Sequence, residues 1–206
     1  MRTRASNGTE ILEAKQYFEE LQRVVTDVPH DRIDQIAEIV VRAYEAERTV
    51  YTFGNGGSAA LASHLACDLG KGTVYCNGGK RLRVLALTDN VPTLTAWAND
   101  ASYEDVFSEQ LRNFVRAEDV AFAISASGNS KNVLNALQVA REVGATTVGI
   151  SGFEGGQMKG LCDICAIVPS KNMQIIEDLH LAIAHSIFRV VHSRLSRRTL
   201  AASMPR

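Results

Sequence analysis

A chain of 206 residues, 46% hydrophobic and 22% charged, can bury one core without disulfides or a structural metal. Its 22 basic and 23 acidic residues leave a formal net charge of -1, which excludes a whole-molecule basic field for nucleic acid. No apolar run reaches the length of a membrane span, and Met1-Arg2-Thr3-Arg4 is not followed by the apolar core of a secretory signal; the expected location is the cytoplasm, with reduced thiols.

In chain order, residues 8–28 predict an amphipathic helix. Ile11, Leu12, Ala14, Tyr17, Phe18, Leu21, Val24 and Val25 recur near the helical period, and Asn7 with Glu10 forms a cap pair. Pro29 breaks the pattern. A second helix follows, with Ile33, Ile36, Ala37, Val40, Ala43 and Tyr44 on one face. These helices, within 8–47, precede the first strand and are not crossovers. They predict an N-terminal helical arm that covers the sheet or buries itself in a partner subunit.

Beyond residue 49, β-branched and apolar runs at 50–53, 84–87, 120–124, 147–150 and 164–168 alternate with helical patterns. The helices fall at 58–70, 91–113 with a break near Asp100, 130–143 and 174–196. Such alternation predicts an α/β domain, a parallel sheet with helices on both faces, covering 1–206 as one unit. Gly144 is a helix C-cap, and Gly152, Gly155, Gly156 and Gly160 mark a loop before the last strand. Cys162-Asp163-Ile164-Cys165 has the spacing of a zinc or redox pair. No second pair completes a four-thiolate site and no helix opens there, so structural thiols are expected. Arg194, Arg197 and Arg198 read as a solvated helix end.

Two strand ends carry the same device. Gly54-Asn55-Gly56-Gly57-Ser58 follows the first strand, and Ser125-Ala126-Ser127-Gly128-Asn129-Ser130 follows the third. Each opens a helix. Small residues let backbone approach a ligand, and amides at a helix start favour an anion. A single loop of this kind is equally an ordinary capped turn. Two at equivalent positions predict a phosphate site. The first loop lacks the lysine of a P-loop and misses the GxGxxG spacing of dinucleotide folds.

These loops, with Asn99-Asp100, resemble the sugar isomerase (SIS) domain family, in its phosphoheptose isomerase branch. The likeness runs from the N-terminal helices to Val191. It implies a three-layer, flavodoxin-like sandwich with a five-stranded parallel sheet, and an N-terminal arm used in oligomerisation. It implies conversion of sedoheptulose 7-phosphate to D-glycero-D-manno-heptose 7-phosphate, and a homotetramer. Asn55, Gly56, Gly57, Ser58, Ser125, Ala126, Ser127 and Ser130 would hold the phosphorylated sugar, and Asn99 and Asp100 would contact it.

Aldose–ketose isomerisation needs a base beside the carbonyl, a second acid/base and often a metal ion. His64 and Asp68 are spaced i,i+4 on one predicted helix; Glu177, Leu181 and His185 form a stripe on another. Imidazole nitrogens with carboxylate oxygens suit a zinc-like ion. The residues alone are equally surface histidines and helix-start acids. The resemblance makes His64, Asp68, Glu177 and His185 the expected zinc ligands, and Asp68, Glu177 and His185 the catalytic set. Asp68 and Glu177 also contact the substrate. The family has glutamate at the position of Asp68 and glutamine at that of Glu177, so one side chain is shorter and the other gains a charge. No nucleotide cofactor is expected. Gln174 is a further lining candidate. His180 is read as a supporting or structural residue on a different face from His185. His30 and His192 fall near helix ends, and Trp97 in the core. The competing class is a non-catalytic sugar-phosphate sensor or adaptor, which needs the serine loops but not the acids and histidines. A DNA-binding regulator needs a basic helix-turn-helix, which the N-terminal helices do not supply.

Overall fold

The structure is a computed structural model that describes residues 13–73 and 80–203, the last six by backbone alone. It contains five strands, β1 (Thr49–Gly54), β2 (Arg83–Ala86), β3 (Val120–Ser125), β4 (Thr146–Ser151) and β5 (Ile164–Ile167), all paired in parallel in the order β2-β1-β3-β4-β5. Helices α1 (Ala14–Val25), α2 (His30–Glu45), α3 (Gly57–Gly72), α4 (Val91–Asp100), α5 (Ser108–Phe114), α6 (Lys131–Val143), α7 (Met158–Leu161) and α8 (Met173–Ser203) surround them.

Strand alternation divides the core into two layers. Val50, Phe122, Ile124, Val148 and Ile150 face one side, where Leu61, Leu65 and Leu69 of α3 and Ile175, Ile183 and Ile187 of α8 bury them with α2. Tyr51, Phe53, Ala121 and Ala123 face the other, under Leu111 of α5 and Val133, Leu137 and Ala140 of α6. The expected three-layer α/β sandwich is therefore present.

The differences from the expected elements are local. The helix expected over 8–28 ends at Val25, and its N-cap is Glu13, boxed with Gln16; residues 8–12 and the Asn7–Glu10 pair lie outside the described residues. The break near Asp100 is a 3-10 turn at Tyr103–Asp105, capped by Ser102, between α4 and α5. Gly144 caps α6 in the left-handed conformation, with φ at 83°. Trp97 is half-buried against the α6-side core. Cys162 lies at the C-cap of α7 rather than in a strand, while Cys165 lies in β5; with the exposed Cys67 they are free thiols, and Cys76 is outside the described residues. The hydrogen bond between them, with burial, pushes the Cys162 thiol up, and the same bond pulls Cys165 down. Among the described residues no helix is long and apolar enough to cross a membrane.

Candidate active site

β1 runs out to β2 at one edge, whereas β3 leads on to β4 in the opposite direction. Strand order therefore reverses between β1 and β3, and ligands of open α/β sheets sit at the carboxyl ends of strands at such a switch point. Both small-residue loops emerge there, on neighbouring strands.

The first loop is held tightly. A side chain at Gly54 would lie 2.6 Å from the Ile124 carbonyl oxygen, so the turn closes only with glycine. Asn55 is locked by Asn132, each amide nitrogen donating to the other's oxygen at 2.8 and 2.9 Å, and Tyr103 Oη donates to Asn55 Oδ1 at 2.9 Å. Neither Asn132 nor Tyr103 carries a sequence signal that singles it out. Thr52 Oγ1 donates to the Ala62 carbonyl at 2.9 Å, tying α3 to β1.

The second loop is stitched to 151–157. Ser151 Oγ donates to the Ser125 carbonyl at 2.8 Å, and the Gln157 amide donates to Asn129 Oδ1 at 3.1 Å. Gly128 has φ of 62° and packs on the Gly155 carbonyl. Within the loop, Ser125 Oγ accepts from the Gly128 amide at 3.2 Å and lies 3.5 Å from Ser130 Oγ, while Ser127 Oγ accepts from the Asn129 amide at 3.3 Å. Ala126 is buried beneath.

α3 and α8 pack together on the same face of the sheet. That contact brings His64 Nε2 within 3.0 Å of His185 Nε2, and Asp68 Oδ2 within 3.2 Å of His64 Nε2 and 3.9 Å of His185 Nε2. The three donor atoms lie within 4.8 Å of one another and form a group that could hold a metal ion. Ligand atoms of a tetrahedral zinc site, about 2.1 Å from the metal, lie about 3.4 Å apart. The observed separations bracket that value, so the residues fit the ion. An exposed cluster of this kind contributes only about 0–1 kcal/mol to stability, so it is not what holds the two helices together.

Beside the cluster is a pocket of about 260 Å³, lined by Gly57, Ser58, His64, Glu177, Asp178 and His180 among others. Glu177 is not in the metal-capable group; its carboxylate rests against Gly57, 3.2 Å from where a side chain there would begin. Asp178 accepts from Tyr17 Oη at 2.5 Å, which pins α1 to the pocket rim. His180 is 1% exposed and forms part of the pocket wall, so the face that the helical period assigns away from His185 still borders the pocket. Asn99 and Asp100 are hydrogen-bonded to each other at 2.6 Å at the end of α4. Among the described residues neither they nor Gln174, which bonds to Asn172 Oδ1, reaches the pocket.

The sequence profile of the family described as "SIS domain" matches residues 16–152. The phosphoheptose isomerase of Clostridium acetobutylicum is 36% identical over 182 residues, covering 88% of this chain and 92% of that protein. The phosphoheptose isomerase of Paramagnetospirillum magneticum is 44% identical over 153 residues, covering 74% and 79%. The solved phosphoheptose isomerase from Neisseria gonorrhoeae superposes with a TM-score of 0.80 at 30% identity, covering 87% of this chain and 96% of that one. The chain belongs to the SIS domain family, in its phosphoheptose isomerase branch. It is a sugar-phosphate isomerase of the aldose–ketose type.

Proposed function

We propose that the substrate is a seven-carbon ketose phosphate, converted from sedoheptulose 7-phosphate to D-glycero-D-manno-heptose 7-phosphate through an enediolate. The observation that carries this reading is the meeting of His64, Asp68 and His185 beside a pocket at the strand-order switch. The curated relatives named phosphoheptose isomerase support the sugar's length. A sensor or adaptor needs the loops alone and gives no reason for the histidine–carboxylate cluster.

In this reading the backbone and hydroxyls of Asn55, Gly56, Gly57, Ser58, Ser125, Ala126, Ser127 and Ser130 bind the phosphate. Asp68 or Glu177 takes the proton from the carbon beside the carbonyl and returns it to the neighbouring carbon. His185 moves the hydroxyl proton between the two oxygens, as a positioned imidazole can. His64, Asp68 and His185 would hold zinc, with the Glu177 charge favouring the cation. When bound, such an ion supplies Lewis-acid polarisation of the sugar oxygens. The protein works as a homotetramer in the cytoplasm, its N-terminal arm in the interface. The exposed Phe18 and Val25 of α1 and the free thiols support this.

The test is an isomerase assay over five- to seven-carbon ketose phosphates, with and without added zinc, paired with sedimentation analysis. Turnover of sedoheptulose 7-phosphate is expected. Turnover of shorter sugars only would overturn the substrate, and a monomer would overturn the assembly.

A further inference from the structure

The paired register of β1 and β3 ends at Gly54 and Ile124. Beyond it the two chains part. β1 feeds α3 on one face of the sheet, and β3 feeds α6 on the other. The two loops therefore begin side by side and lead away from each other, although one phosphate would have to meet both.

Side chains close that gap. Asn132 is 3% exposed and lies in the first turn of α6, two residues after Ser130 of the second loop. The Val133 amide donates to Asn132 Oδ1 at 3.0 Å, which sets which end of that carboxamide is the oxygen. Its reciprocal pair with Asn55 then sets the carboxamide of the first loop. Asn55 Oδ1 accepts from Asn132 and from Tyr103 Oη, so both of its acceptor positions are filled.

Tyr103 is 59% exposed, so its ring gains little from burial, and the consequence of its hydroxyl is local. The 3-10 turn that carries it is clamped to α6 through the next residue. The Glu104 carboxylate accepts from Lys131 Nζ at 2.7 Å, and the Glu104 carbonyl accepts from Asn135 Nδ2 at 3.1 Å. Lys131 directly follows the second loop. The turn and the start of α6 thus form one block, and two side chains of that block, Tyr103 and Asn132, grip the first loop.

We propose that Tyr103 is a positioning residue for the phosphate site: with Asn132 it fixes the first loop relative to the second before the phosphate arrives. This rests on the reading that the two loops hold the phosphate. A loop ordered in advance spares the ligand the entropy of ordering it, so affinity rises with no new contact to the ligand.

The test compares full-length wild type with Tyr103→Phe, which removes only the hydroxyl. Inhibition by inorganic phosphate is expected to weaken about three- to tenfold, the worth of one hydrogen bond, and KM for sedoheptulose 7-phosphate to rise by a similar factor. The expected kcat stays within about twofold of wild type, and Tm falls by no more than about 4 °C. In Asn55→Ala, which lacks the group that Tyr103 holds, adding Tyr103→Phe is expected to change neither constant further. Amide hydrogen exchange at 55–58 is expected to quicken in Tyr103→Phe with no ligand present. Wild-type phosphate inhibition in Tyr103→Phe overturns the proposal, whatever happens to kcat or Tm, and that variant decides alone if Asn55→Ala does not fold. An undiminished effect of Tyr103→Phe in the Asn55→Ala background overturns it as well. Should inorganic phosphate not inhibit wild type, the reading of the loops fails by itself. Unchanged exchange at 55–58 then overturns the positioning role too, and faster exchange upholds it.

Discussion

The Nε2 atoms of His64 and His185 lie 3.0 Å apart although 121 residues separate them along the chain. Each sits on the exposed side of a helix whose opposite side packs the sheet: Leu61, Leu65 and Leu69 on α3, Ile183 and Ile187 on α8. Core burial sets the helices side by side, and the histidines meet as a consequence. Asp68, one turn from His64, completes the group.

His185→Ala should lower kcat by about 10²–10⁴-fold while sugar-phosphate binding changes little, since the variant removes a proton-transfer group and leaves both loops intact. Isomerase assays and calorimetry check this together. Full activity would remove His185 from the reaction.

A metal should co-purify with the protein, and chelation should reduce turnover by at least about tenfold, with recovery on adding zinc. His64→Ala should lose the metal, read by elemental analysis. The ligand separations near the tetrahedral value motivate this. Turnover unaffected by chelation, in protein without bound metal, would show that the cluster is a hydrogen-bonded one.

Gly128→Ala should destabilise the protein by about 2 kcal/mol or more, lowering Tm on the order of 5 °C, and should raise KM for phosphorylated sugars. The backbone there has φ of 62°, and the new Cβ would lie 2.1 Å from the Gly155 carbonyl oxygen. Relief would require moving the loop that carries Ser125, Ser127 and Ser130. An alanine variant with unchanged Tm and KM would contradict the rigidity of this loop.

Tyr17→Phe removes the hydroxyl that joins α1 to Asp178 and should cost about 1 kcal/mol near neutral pH. Burial, and next the bond to Asp178, push the Tyr17 hydroxyl up to about 12 from 10.0. Between these values the unfolded chain loses the proton that the native state keeps, so stability from this group is present below pH 10 and falls as pH rises toward 12. The stability difference between wild type and Tyr17→Phe should therefore shrink over that window. Urea unfolding at pH 8 and pH 11 measures it; a constant difference would mean the bond contributes nothing.

Local patterns in the chain determine much of this protein. Continuous β-branched and apolar runs mark the five strands, because helices cover both faces of a parallel sheet, and the helical period marks most of the helices between them, because burial of one face leaves its period in the residues. The loops 54–58 and 125–130 are equally plain, since close approach of backbone to a phosphate admits only small residues. The i,i+4 pairing of His64 with Asp68 is set by the helix itself. Contacts between distant segments leave no such period. The chain order does not reveal that α3 and α8 are neighbours, that Asn132 and Tyr103 lock Asn55, or that Glu177 rests on Gly57 apart from the histidines. It also presents His180 as one more helical histidine. Only the packed structure buries that ring against the Ser151 backbone, because burial and hydrogen bonding are properties of what surrounds a residue and not of its spacing.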